Sequence, residues 1–230
     1  MVEKTKNKII KIYEELFNEY GSQGWWPITP TCTIEKKPEY GIKTKTKSQQ
    51  LEIAIGAILT QNTNWKNAEK AILNIYKNNL MDKEKLLSIS NEDLAKIIKP
   101  SGYYNQKSKK IKEFLSFNSE MTRSNLLKIW GLGPETVDSI LLYAYDKEEF
   151  VVDAYTIRMF SKYSIVKSNN KYENVKELFE NSIKDEIRNQ KRLVKIYKEY
   201  HALIVEHGKR YYSKKPYGSN DPIIEKISNY

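Results

Sequence analysis

Leu126-Leu127-Lys128-Ile129-Trp130-Gly131-Leu132-Gly133-Pro134-Glu135-Thr136-Val137-Asp138-Ser139-Ile140-Leu141-Leu142 reads as a helix, a Gly-hydrophobic-Gly turn and a second helix. Gly131 and Gly133 give the backbone angles that a β-carbon resists, Leu132 plugs the turn inward, and Pro134 suits the first position of the next helix. Backbone N–H groups are then left facing solvent beside a helix N-terminus, where unsatisfied donors and the helix dipole attract an anion. A plain αα-corner, whose glycines only permit a tight connection, is the competing reading of this stretch by itself.

Working outward, Phe150-Val151-Val152-Asp153-Ala154-Tyr155-Thr156-Ile157-Arg158 puts an acid directly after a short apolar run. Asp153 stands where a helix N-cap belongs, so it has a structural reading as the start of a helix over 154 to 163. Both roles can coexist, because capping fixes the direction of the carboxylate.

Helical spacing of apolar residues covers most of the remaining chain: 6 to 20, 51 to 60, 67 to 76, 83 to 87, 91 to 98, 106 to 117, 123 to 129, 172 to 182 and 192 to 209. Strand-type alternation is sustained nowhere, so the chain is read as all-α. Residues 24 to 48 are irregular, broken by Pro27, Pro30, Pro38 and Gly41, and read as a connector between lobes. A Lys/Pro/Gly/Asn-rich tail closes the sequence.

The chain has 230 residues and a net charge of +10, which makes a polyanionic partner plausible without choosing nucleic acid. Its one cysteine, Cys32, excludes an intrachain disulfide and a Cys-only metal site, fits a reducing cytosol, and reads as an inert thiol. The N-terminus lacks the apolar run of a signal peptide or membrane span and reads as an amphipathic helix of a soluble protein. His201 and His207 lie six apart with no cysteine nearby, so no zinc site is expected.

Taken together, GLGPETVDSILLYA at 131 to 144 followed by VVDAYTIR at 151 to 158 resembles the helix-hairpin-helix superfamily of DNA glycosylases, the group of endonuclease III. The resemblance extends through LEIAIGAILTQNT at 51 to 63, PSGYYNQKSKKI at 100 to 111 and EYHALIVEHGKRYYSKKP at 199 to 216. GWWP at 24 to 27, with TQNTNW and SGYYNQK, is most similar to the 3-methyladenine DNA glycosylase branch. The resemblance implies an endonuclease III-like, all-α fold of two helical lobes. One runs continuously over 48 to 145, and the other is built from 1 to 47 plus 146 to 230. Double-stranded DNA would lie across the cleft with a damaged nucleotide rotated out of the stack. The protein is expected to be a monomer in the cytoplasm, associated with the nucleoid.

By the same resemblance Asp153 matches the catalytic acid, which stabilises positive charge on the deoxyribose and helps water attack the anomeric carbon. Lyase-competent relatives carry a nucleophilic lysine where this chain has Glu135, which implies a hydrolase that leaves an abasic site. Lys128 lies nearby but suits a solvent-facing or phosphate-contacting role. Trp25, Trp26 and Trp65, with Pro27, are the candidate base pocket, since indoles stack well on a cationic alkylated purine; filling the seam between lobes is their competing role. Gln61 and Asn62 are candidate DNA contacts: in related enzymes a Gln at this place enters the duplex gap, whereas without the resemblance the two read as helix-end polar residues. Gly131, Leu132, Gly133, Glu135 and Thr136 are the candidate phosphate grip. Lys107, with Lys109 and Lys110, is a further DNA contact or a solvated helix face.

Many relatives hold a four-iron cluster with four cysteines after the HGK-like segment, whereas residues 211 to 223 here contain none. Thiolates are required, so no iron-sulfur cofactor is expected, and the tail is either held by packing, with Tyr211, Tyr212, Tyr217 and Ile223 as candidates, or partly mobile. The alternatives are a uracil- or thymine-mismatch or bifunctional enzyme of the same family, and a noncatalytic damage-binding module.

Overall fold

The computed structural model describes residues 2–31, 37–44 and 46–227, so Cys32 lies outside the described residues. Among the described residues, twelve α-helices follow in order. They are α1 (Val2–Tyr20), α2 (Lys47–Leu59), α3 (Trp65–Lys77), α4 (Lys83–Ser88), α5 (Asn91–Ile97), α6 (Tyr104–Ser116), α7 (Arg123–Leu126), α8 (Pro134–Tyr145), α9 (Ala154–Lys162), α10 (Tyr172–Glu186), α11 (Gln190–Tyr211) and α12 (Pro222–Ile227). A 3-10 turn at Lys99–Ser101 precedes α6. The only extended pairing among the described residues is an isolated bridge between Ile28 and Glu39, and the fold is all-α.

The chain divides into two compact units, one of Met1–Trp25 with Lys147–Tyr230 and the other of Trp26–Asp146. In the continuous unit α2 is the hub, packing on α3, α6 and α8. Residues 52 to 59 of α2 are all buried, as befits a helix that is apolar on every side. It begins at Lys47, four residues before its apolar periodicity, because Thr46 and Gln49 form a capping box.

The irregular stretch from Trp26, read from its composition as a connector and grouped with the termini by the resemblance, falls in this unit. The reason is Glu52, fully buried on α2. Its carboxylate accepts from the Thr29 amide (2.9 Å), the Thr29 hydroxyl (2.9 Å) and the Tyr76 hydroxyl (2.6 Å). Burial raises the Glu52 pKa, and these hydrogen bonds oppose the rise.

In the other unit α1 packs on α10, α11 and α12, and α9 on α11. Phe150, Phe160, Phe179, Tyr197 and Tyr200 form its aromatic core, with Phe150 stacked on Phe179 at 4.6 Å between centroids. The Phe150 amide donates to Glu180 at 2.9 Å, and Val151 and Val152 are buried behind it. The apolar run before Asp153 is therefore a fixed strut.

The tail is organised by a residue the sequence did not single out. Asp221, its side chain fully enclosed, accepts from Tyr212 (2.6 Å), Tyr163 (2.7 Å), the Ile223 amide (2.9 Å) and His207 Nε2 (2.9 Å). Tyr212 and Ile223 are buried as the sequence suggested, while Tyr211 and Tyr217 are half-buried. This network shapes residues that composition alone reads as a loop, and α12 within it was not anticipated.

Candidate functional site

The hairpin lies between α7 and α8. Arg123 on α7 donates to both oxygens of the buried Asp138 on α8, at 2.7 and 3.2 Å, and so fixes the two helices. An acid inside the apolar run Val137–Leu142 was the available sequence signal for this brace. Leu132 is buried as a plug. Gly131 adopts φ +82°, which favours glycine, and a β-carbon there would meet the Lys110 side chain at 2.5 Å.

Gly133 differs from expectation: at φ −85° and ψ 171° any residue could occupy it. Its contribution is the missing side chain, because the space where a β-carbon would project is open. No side chain caps α8, Pro134 takes its first position, and Gly133 and Glu135 are exposed. An anion can thus approach the α8 amides without displacing protein atoms.

Gln61 sits just past α2 and is tied to this hairpin. Its Nε2 donates to the Gly131 carbonyl (3.2 Å) and to the Thr136 hydroxyl (2.9 Å), while its Oε1 accepts from Lys110 (2.6 Å). Thr136 is accordingly buried and turned inward, so its backbone amide rather than its hydroxyl is what it can offer a phosphate. Asn62 is exposed with φ 52°.

The three lysines of α6 part company. Lys107, expected on phosphate, is only 2% exposed and donates to the carbonyls of Leu59 (2.8 Å) and Ser101 (2.7 Å), where it satisfies the backbone at the end of α2. That corrects the expectation, because a buried ammonium filling two carbonyl vacancies cannot reach DNA. Lys110 holds Gln61, and Lys109 lies 4.7 Å over the ring of Trp130.

Of the proposed base-pocket residues, Trp26 and Pro27 are buried in the continuous unit. Trp26 meets Trp65 edge-on at 5.7 Å and Tyr143 at 5.3 Å. Trp65, at the start of α3, is half-buried. Trp25 belongs to the other unit, edge-on to His201 at 5.9 Å with Lys209 5.5 Å over its ring.

Asp153 caps α9. Its Oδ1 accepts from the Thr156 amide (2.7 Å) and hydroxyl (2.8 Å), while the Thr156 hydroxyl accepts from the Asp153 amide (3.3 Å). Oδ2 accepts no hydrogen bond from any described residue, and the side chain is half-buried. One oxygen is anchored by the cap, and the other takes no part in it. His201 on α11, considered from sequence only as an unlikely zinc ligand, lies within electrostatic reach of Asp153. Burial pushes its imidazole down and the Asp153 charge pulls it back up. No local signal connects residues this far apart in the chain.

An all-helical fold carrying a glycine hairpin and, shortly after it, a helix-capping aspartate defines a helix-hairpin-helix DNA repair protein. Residues 55–185 match the family described as HhH-GPD superfamily base excision DNA repair protein, and the chain belongs to it. It is 40% identical to a protein of Methanocaldococcus jannaschii assigned as a DNA repair glycosylase, over 98% of each chain. Among solved structures, it resembles the Helicobacter pylori 3-methyladenine DNA glycosylase bound to 1,N6-ethenoadenine, with a TM-score of 0.70 and 26% identity. The alignment spans 90% of this chain and 97% of that one. An endonuclease III bound noncovalently to DNA has a TM-score of 0.73, 12% identity and coverage of 96% and 94%, a likeness of fold. No described helix is long and apolar enough to cross a membrane.

Proposed function

We propose that this protein is a monofunctional DNA glycosylase that hydrolyses the N-glycosidic bond of an alkylated purine such as 3-methyladenine. The observation that carries the reading is Asp153, with one oxygen held by Thr156 and the other unoccupied. The likeness to the H. pylori enzyme supports the substrate class.

In this mechanism the α8 N-terminus holds a phosphate of the damaged strand, and the carboxylate stabilises the oxocarbenium character growing at C1′. The bond from C1′ to the purine nitrogen breaks, and its electron pair leaves with the base. A base that is cationic in the nucleotide departs neutral, so no acid is needed. Water adds its oxygen to C1′, and the proton it loses passes to Asp153 or to solvent. The exposed Glu135 stands where lyases carry their nucleophilic lysine, and a carboxylate cannot form a Schiff base.

The reading includes no iron-sulfur cluster. Residues 211 to 223 offer no thiolate, and the chain's one cysteine is Cys32, so the donor set does not fit a four-thiolate site. The Asp221 network occupies that tail instead.

The test is a panel of duplexes carrying 3-methyladenine, 7-methylguanine, 1,N6-ethenoadenine or uracil, assayed for free base with and without borohydride. Release of a methylated purine with no borohydride-trapped adduct is expected. Release of uracil alone would reassign the substrate, an abundant adduct would contradict monofunctional chemistry, and no release of any base would favour a noncatalytic damage-binding module.

A further inference from the structure

Trp130 immediately precedes the glycine turn and is 50% exposed, and Leu127, three residues earlier, is 37% exposed. Isolated exposed apolar side chains are ordinary on protein surfaces. Here two large ones fall within four residues, on the segment whose backbone is left open to an anion. Lys109 lies over the indole at 4.7 Å, and exposed Lys128 is two residues away in sequence.

An apolar plate with an ammonium group set over it matches the sugar-phosphate backbone of a nucleic acid. There the hydrophobic faces of the deoxyriboses alternate with phosphates, and a duplex keeps its base faces covered. The lysine above the ring also limits the orientations that the indole can take, which reduces the entropy it loses on contact.

The geometry points to Trp130 as a second DNA contact of the hairpin, packing its indole on a deoxyribose of duplex DNA while Lys109 meets the adjoining phosphate. This rests on the hairpin being the phosphate grip proposed above. It adds a sequence-independent, largely salt-insensitive anchor to an otherwise electrostatic contact.

The experiment uses the whole protein and a fluorescein-labelled duplex carrying one tetrahydrofuran abasic-site analogue. Anisotropy reports binding, and acrylamide quenching of intrinsic fluorescence, compared between wild type and Trp130→Leu, isolates the Trp130 signal. Saturating duplex is expected to protect that signal. Trp130→Ala should raise Kd about tenfold with the salt slope unchanged, while Lys109→Ala lowers the slope by about one. Binding that leaves Trp130 as quenchable as before, or an unaltered Kd in Trp130→Ala, overturns the inference and leaves the glycosylase reading intact. Absence of binding by the wild type overturns both. Because Trp130 is exposed, its variants should keep the wild-type melting temperature, and the wild-type quenching measurement stands independently of them.

Discussion

Lys110 Nζ donates to Gln61 Oε1 at 2.6 Å, and through that amide the end of α2 is bonded to the Gly131 carbonyl and Thr136 hydroxyl across the hairpin. Gln61 therefore acts here as a positioning residue for the hairpin, whatever further contact it makes with DNA. Gln61→Ala leaves the Gly131 carbonyl and Thr136 without that partner. A stability loss of about 1–2 kcal/mol is expected, together with faster hydrogen exchange at the amides of residues 131 to 137. Chemical denaturation and exchange mass spectrometry check this; an unchanged exchange rate in the turn would refute the latch.

The Arg123–Asp138 pair should matter more. Asp138 is fully buried, so Arg123→Met removes the cation paired with a buried carboxylate, at a cost of about 3–5 kcal/mol. Replacing both residues with apolar ones is expected to recover much of that loss, a pattern that a double-mutant cycle reads directly.

Lys107 supplies a pH prediction. Burial, with a smaller push from Lys110, brings its ammonium from the ordinary 10.5 down to about 8. Between pH 8 and 10.5 the unfolded chain keeps a proton that the folded chain has released, so this group's contribution to stability rises with pH through that window. Relative to Lys107→Met, the wild type should gain up to about 3 kcal/mol on going from pH 8 to 10.5. A flat difference across that range would contradict the assignment.

The C-terminal tail gives a fourth. Burial pushes the Asp221 carboxyl up, but hydrogen bonds from His207, Tyr212 and Tyr163 outweigh it, and the group stands below the usual carboxylate range. A depressed carboxylate stabilises the fold above its unfolded pKa and loses that contribution as pH falls through its folded one. Asp221→Asn replaces an acceptor with a donor among four donors. It is expected to cost about 2–4 kcal/mol and to accelerate tryptic cleavage after Lys214, measured at neutral pH.

What the sequence disclosed and what it hid have separate physical origins. The helices, the glycine turn and Asp153 are local: periodicity, φ demands and capping chemistry act within a few residues. The fates of Lys107, Lys109 and Lys110 were not legible, because on a helix of about 3.6 residues per turn Lys107 and Lys109 point to opposite sides. Only tertiary packing decides which side is core. The Gln61 latch and the Asp221 network join residues brought together by the fold, and Gly133 was singled out for backbone angles it does not use.

The most direct test of the central claim is single-turnover release of 3-methyladenine from duplex DNA by wild type and Asp153→Asn. Asparagine caps a helix as well as aspartate does, so the fold should keep its stability while the charge is removed. The expected result is unaltered binding to abasic duplex and a release rate lowered by at least about 100-fold. Release by Asp153→Asn within a few-fold of wild type would contradict the assignment of Asp153 as the catalytic carboxylate.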